Sequence, residues 1–130
     1  MNRRILSIVI VVIIIAIAYK FLSNVKQESN HMITAKQVQE KLNKNENFTL
    51  LDVRTKEEYE QGRIPGSVLL PLDELEKKSD QLLADKNEEI IIYCRSGARS
   101  DTARKLLVDK GYKKVYDLGG IIDWPYEIEK

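Results

Sequence analysis

The run Ile90-Ile91-Ile92-Tyr93, held between Glu88-Glu89 and Cys94-Arg95, narrows the choice of fold more than any other stretch of the chain. A strand with one wet face alternates apolar and polar residues. A strand that is apolar at every position must be covered on both faces, as in a parallel sheet flanked by helices. The remainder of the chain from about residue 32 agrees, because strand and helix signals alternate along it. Thr34-x-x-Gln37 and Thr55-x-x-Glu58 are capping boxes that open helices; Val38 and Leu42 fall one turn apart on the first, and Gly62 ends the second. Strands are predicted over 48–53, 67–70, 90–93 and 115–118, the second closed by Pro71. Helices are predicted over 72–84 and 99–110, the latter ended by Gly111, with a last short helix carrying Trp124 and Pro125 after Gly119-Gly120. The expected fold class is α/β, a parallel sheet with helices on both faces.

The N-terminus has a different character. After a basic start (1–4, with Arg3 and Arg4), residues 5–22 form an apolar run interrupted only by Ser7 and, near its end, Lys20. As a helix it spans ~27 Å, close to the ~30 Å hydrocarbon core. A segment apolar on every side at the N-terminus reads as a membrane anchor or a signal peptide. Ala16-Ile17-Ala18 suits signal cleavage, while Ile13-Ile14-Ile15 running directly into it, with no Gly or Pro, suits an uncleaved anchor. Residues 23–31 are polar and aperiodic and read as a linker to a domain over 32–130. With Arg3 and Arg4 before the run, the domain is expected outside the cytoplasm, although Lys20 and Lys26 weaken that bias. A cleaved, exported form is the alternative.

Charge and cysteine content exclude several classes. Beyond residue 32 there are 17 basic and 19 acidic residues, so the domain has no bulk attraction for nucleic acid, and no nucleic-acid motif is present. Cys94 is the only cysteine and His31 the only histidine, which rules out an internal disulfide and a cysteine-based zinc site. No metal or cofactor is expected. A Cys–His pair cannot be assumed, so a reactive Cys94 needs another activator.

The stretch Cys94-Arg95-Ser96-Gly97-Ala98-Arg99-Ser100 follows the buried strand and opens a helix. Successive N–H groups there converge on one point at the positive end of the helix, and Gly97 permits the turn. Arg95 and Arg99 add positive charge. A thiolate so placed can have its pKa lowered from ~8.5 to between ~3.5 and ~7.5. The alternative for Cys94 is a small buried apolar side chain at a strand end; for Ser96 and Ser100 it is simple helix capping. Asp52 and Arg54 share one face of their strand. They read as an ion pair orienting the strand end and the Thr55 cap or, less directly, the loop.

With these residues in place the chain resembles the single-domain rhodanese family over about 32–127. The resemblance rests on Leu51-Asp52-Val53-Arg54, Glu58-Tyr59-x-x-Gly62-Arg63-Ile64-Pro65-Gly66-Ser67 with Pro71, Tyr93–Ser100, and Leu118-Gly119-Gly120 with Trp124. It implies about five parallel strands and a sulfurtransferase that moves a sulfane sulfur from a donor such as thiosulfate or a persulfide to a thiol, protein or cyanide acceptor. Cys94 would carry the sulfur as a persulfide, cradled by Arg95, Ser96, Gly97, Ala98 and Arg99, with Asp52, Arg54 and Ser100 in support. A monomer is expected. The family usually has Gly-His-Ile where this chain has Gly62-Arg63-Ile64, and Arg63 would add positive potential near the site. The competing readings are a non-catalytic binding module, against which Cys94 and an intact loop argue, and a cysteine-dependent phosphatase or arsenate reductase. The phosphatases need Cys-x5-Arg, whereas here arginine comes one place early at Arg99.

Overall fold

The computed structural model describes residues 2–28 and 31–130, which divide into two compact units between His31 and Met32. The first unit is one helix, α1 (Arg3–Glu28). Its 21-residue portion Arg3–Ser23 has the length and composition to cross a membrane, and its side chains from Ile5 to Leu22 are exposed. The helix continues into the stretch read as linker. Residues 23–28 lack apolar periodicity, but they contain no glycine or proline to stop a helix already nucleated.

The second unit is built from α2 (Ala35–Asn43), β1 (Thr49–Asp52), α3 (Lys56–Gln61), β2 (Val68–Leu69), α4 (Leu72–Leu82), β3 (Glu89–Cys94), α5 (Ala98–Asp109) and β4 (Lys114–Gly120). The four strands pair in parallel in the order β2-β1-β3-β4. The fifth strand expected from the resemblance is reduced to a single parallel bridge between Met32 and Asp117 at the β4 edge, fixed by Ile33 N–H donating to Asp117 O at 3.0 Å. The adjoining Thr34 leaves the edge to cap α2: its hydroxyl accepts from Gln37 N–H at 3.2 Å, and its own N–H donates to Gln37 Oε1 at 2.9 Å. That early helix start cuts the edge strand short.

β3 is the centre of the sheet and is buried on both faces. Ile90, Ile92 and Cys94 pack with Leu75 of α4 and Ala103 and Leu107 of α5. Ile91 and Tyr93 pack with Val38 of α2, Leu50, Ile64 and Trp124. Each such side chain contributes about 1.5–3 kcal/mol by leaving water. Beside it β4 accommodates one extra residue: Ile92 pairs with Asp117 but Tyr93 pairs with Gly119, so Leu118 is skipped. The short final helix is a single 3₁₀ turn, Ile121–Asp123, after which the chain extends past Pro125 and pairs antiparallel with Arg63 through Glu129. Proline supplies no N–H with which to prolong the turn.

Candidate active site

Cys94 is the last residue of β3, at the C-terminal end of a central parallel strand, the end at which ligands bind in open α/β sheets. Its side chain points to the α4/α5 face and is completely buried. The chain then turns through Arg95 and Ser96 to Gly97, which caps α5 with φ of 111°, a left-handed conformation that disfavours any side chain. Neither Ser96 nor Ser100 caps the helix, since Gly97 is the N-cap and no side chain bonds there. The Gly97 N–H instead donates to Cys94 Sγ at 3.0 Å. Ser100, fully buried one turn into α5, holds its hydroxyl 3.6 Å from Sγ and 3.0 Å from Gly97 O.

These contacts set the acidity of the thiol. Burial pushes the Cys94 pKa up. Against this act the Ser100 hydroxyl and the backbone N–H groups of Ser100, Gly97 and Ser96, and the net position lies below the ordinary thiol value. A charge buried without them would be costly.

The arginines of the loop have different surroundings. Arg99 forms a two-pronged bond with Glu58, Nη1 to Oε1 at 2.7 Å and Nη2 to Oε2 at 3.0 Å. The guanidinium donors hold the Glu58 carboxyl at a pKa of about 2, against an ordinary 4.5. In the sequence Glu58 stands out as a capping residue and as the start of the Glu58-Tyr59-x-x-Gly62 stretch; it also contacts Thr55 Oγ1 at 3.3 Å, so one carboxylate ties the start of α3 to the start of α5. Arg95 is exposed and has no ion-pair partner among the described residues. Ala98 and Ser96 are likewise exposed on the loop.

Asp52 and Arg54 pack on the opposite face from the Cys94 side chain, against Tyr93, whose ring centroid lies 5.6 Å from the Arg54 guanidinium. They form a buried ion pair: Arg54 Nη2 and Nε reach Asp52 Oδ2 at 2.7 and 3.0 Å, and Arg54 Nη2 also donates to Gly62 O at 2.7 Å. Asp52 Oδ1 further accepts from the Arg54 N–H at 2.9 Å, closing the turn out of β1. Next to them the Tyr93 hydroxyl accepts from Ile64 N–H at 3.2 Å and donates to Ser67 Oγ at 2.9 Å. The pair thus anchors the strand end and the 62–67 segment. Arg63 is not an uncompensated charge: it pairs with Glu129 at 3.3 Å and its guanidinium lies over the Tyr59 ring, 4.6 Å from the centroid.

Two features had no signal as site elements in the sequence. At Gly120 a Cβ would collide with the carbonyl of Arg95 and come within 2.7 Å of Ser96 Cα, so the end of β4 supports the loop backbone at a distance only glycine allows. Beside the loop lies a cleft of about 600 Å³ lined by Arg54, Glu58 and Arg95 together with Ile121, Ile122, Trp124, Tyr126 and Ile128.

Comparison with known proteins accords with this geometry. Residues 34–125 match the rhodanese-like domain family. The putative sulfur carrier protein YrkF of Bacillus subtilis is 40% identical over 98 residues, 75% of this chain and 52% of that protein, so the chain spans about half its length. A sulfurtransferase of Allochromatium vinosum is 38% identical over 93 residues, 71% of this chain and 85% of that protein. Among solved structures, a rhodanese-like domain protein from Staphylococcus aureus superposes with a TM-score of 0.65 at 34% identity, covering 76% of this chain and 96% of that one. From its sheet order, its Cys94 loop and these matches over most of its length, the chain belongs to the rhodanese-like domain family.

Proposed function

We propose that the chain is a sulfurtransferase that carries a sulfane sulfur as a persulfide on Cys94. The observation that carries this reading is the setting of Sγ, which accepts from Gly97 N–H at 3.0 Å and lies 3.6 Å from Ser100 Oγ, in a loop that lowers the thiol pKa without a histidine. The names of its relatives as sulfur carrier and sulfurtransferase support it. With thiosulfate as donor, the Cys94 thiolate attacks the outer sulfur, the S–S bond breaks, and its electron pair leaves with sulfite. The persulfide anion gains what the thiolate had, a negative charge facing the amides of Ser96, Gly97 and Ser100. A thiol or cyanide acceptor then takes the outer sulfur as a persulfide or thiocyanate and returns the Cys94 thiolate. The loop and its complete enclosure of Cys94 suit a single transferred atom. The Arg99 guanidinium, committed to Glu58, does not offer the arginine of a phosphatase loop.

The test is intact-mass measurement of the full-length chain after exposure to thiosulfate. Gain of one sulfur in the native chain and none in Cys94→Ser is the expected result; a folded Cys94→Ser variant that turns over thiosulfate and cyanide as the native chain does would refute the mechanism. For the N-terminal helix we propose an anchor that places the domain outside the cytoplasm, supported by Arg3 and Arg4 ahead of the apolar stretch. Protease added to intact cells should remove a C-terminal tag. Protection until the membrane is broken would reverse the orientation, and release of the domain into the medium would show cleavage.

A further inference from the structure

The loop that follows Cys94 does not hold its shape alone, because the end of β4 stands against it. Gly119 O lies 3.5 Å from the Ser100 hydroxyl, and a Cβ on Gly97 would meet Gly119 Cα at 3.7 Å. A Cβ on Gly120 would collide with Arg95 O, and Ile122 N–H donates to Arg95 O at 3.2 Å. These contacts reach the loop residues Ser96, Gly97 and Ser100, whose backbone N–H groups act on Cys94 Sγ. A displacement of 119–122 therefore becomes a displacement of the donors around the reacting sulfur.

The course of 119–122 is set at the bulge in β4, where Leu118 is skipped between the Ile92–Asp117 and Tyr93–Gly119 pairs. A bulge interrupts the ladder and leaves backbone groups in need of another partner. Here Gly119 N–H donates to Asp117 Oδ1 at 2.8 Å, and Gly119 takes a φ of 90°. Asp117 is itself held from both sides. Its backbone pairs with Ile92 of β3, and on the outer edge its carbonyl accepts from Ile33 N–H at 3.0 Å. The side chain is thus a fixed post to which the residue two places on is tied. Aspartate is a poor strand former, and a carboxylate only 3% exposed is costly to keep there. An apolar side chain would suit a buried strand position better; what Asp117 supplies is the acceptor for Gly119.

We infer that Asp117 is a positioning residue for the Cys94 loop: its carboxylate holds the β4 bulge, and the bulge props the loop in the shape that presents its donors to the sulfur. The inference rests on the sulfurtransferase reading, in which those donors face first a thiolate and then a persulfide. Asp117 acts through Gly119 and Gly120, not on the sulfur itself. The side chain must supply an acceptor oxygen at one place, and its charge is secondary. Asparagine carries a carbonyl oxygen at the same reach and can keep the bond to Gly119 N–H, whereas alanine cannot.

The experiment compares Asp117→Ala, Asp117→Asn and Val115→Ala in the full-length chain in phospholipid nanodiscs, with circular dichroism to confirm folding. Val115, buried in β4, is the control: its truncation loosens the same strand without removing the acceptor of Gly119. The readouts are kcat/KM for thiosulfate with cyanide and the pH profile of Cys94 alkylation. Asp117→Ala should lower kcat/KM by about tenfold or more and move the alkylation midpoint up by about half a pH unit or more, as the donors move off the sulfur. Asp117→Asn should stay within about threefold of the native chain, with its midpoint unmoved. Val115→Ala should keep the native midpoint. A native midpoint in Asp117→Ala, an equal shift in Val115→Ala, or an Asp117→Asn variant as impaired as Asp117→Ala overturns the inference. Should Asp117→Ala fail to fold, Asp117→Asn and amide hydrogen exchange of the native chain decide: Gly119 N–H should exchange at least about 100-fold more slowly than in an open chain, and free exchange there overturns the inference. A native chain that gains no sulfur on Cys94 from thiosulfate overturns the sulfurtransferase reading, while the alkylation midpoints still decide whether Asp117 positions the loop.

Discussion

Replacing Ser100 by Ala tests what stabilises the Cys94 thiolate. The hydroxyl lies 3.6 Å from Sγ and is fully buried, so no water can take its place without rearrangement. A hydrogen bond to a charged group contributes about 1.5–3 kcal/mol, and one pH unit of pKa corresponds to about 1.4 kcal/mol. At this long separation the lower end applies, and the Cys94 pKa should rise by about one pH unit. Below both pKa values the thiolate fraction then falls about tenfold. The more basic thiolate is intrinsically more nucleophilic, with a Brønsted coefficient of ~0.4–0.5, which returns about threefold and leaves alkylation about threefold slower. Arg99→Gln combined with Glu58→Gln removes a cation and its anion together, and should move the pKa by less than half as much, because Glu58 already neutralises the guanidinium. The assay is the rate of iodoacetamide alkylation against pH, with circular dichroism to confirm folding. A Cys94 pKa unmoved by Ser100→Ala but raised a full unit by the double charge removal would refute the reasoning and return the dominant role to Arg99.

Removing Arg54 should be severe: Arg54→Ala leaves Asp52 charged and fully buried, a loss of about 3–5 kcal/mol visible in chemical denaturation, whereas the charge-free pair Asp52→Leu with Arg54→Met should cost less. Gly120→Ala drives a methyl group into the backbone of Arg95 and Ser96, so it should destabilise by about 1–3 kcal/mol and reduce sulfur loading of Cys94 more than a surface Gly111→Ala change does; equal loading in the two variants would contradict the packing argument. Glu58 has a folded pKa of about 2, depressed from an ordinary 4.5, so its contribution is complete above about pH 4.5 and is lost as pH falls towards 2. Its side chain and that of Arg99 are 28% and 33% exposed, which limits the contribution to about 1 kcal/mol; Glu58→Gln should lower Tm by several degrees at pH 7, and the gap from the native chain should close by about pH 2.

Much of the architecture is legible in the sequence. The capping boxes at Thr34 and Thr55 depend on residues three apart, and both formed as read. The unbroken Ile90–Ile92 run had to be covered twice, and β3 is central and buried on both faces because nothing else can shelter such a strand. Cys94 followed by Gly97 and an α5 start is likewise a local pattern, set by strand, turn and helix geometry within a few residues. Tertiary structure decided what depends on residues distant in sequence. It paired Met32 with Asp117, 85 positions on, in a bridge at the β4 edge. It turned Arg99 to Glu58, 41 positions away. It set Gly120 under Arg95 and brought Ile122, Tyr126 and Ile128 into one cleft with Arg95 and Arg54. Local periodicity records which face of an element is apolar, but which elements meet, and which charges neutralise each other, is settled only when the sheet order brings their ends together.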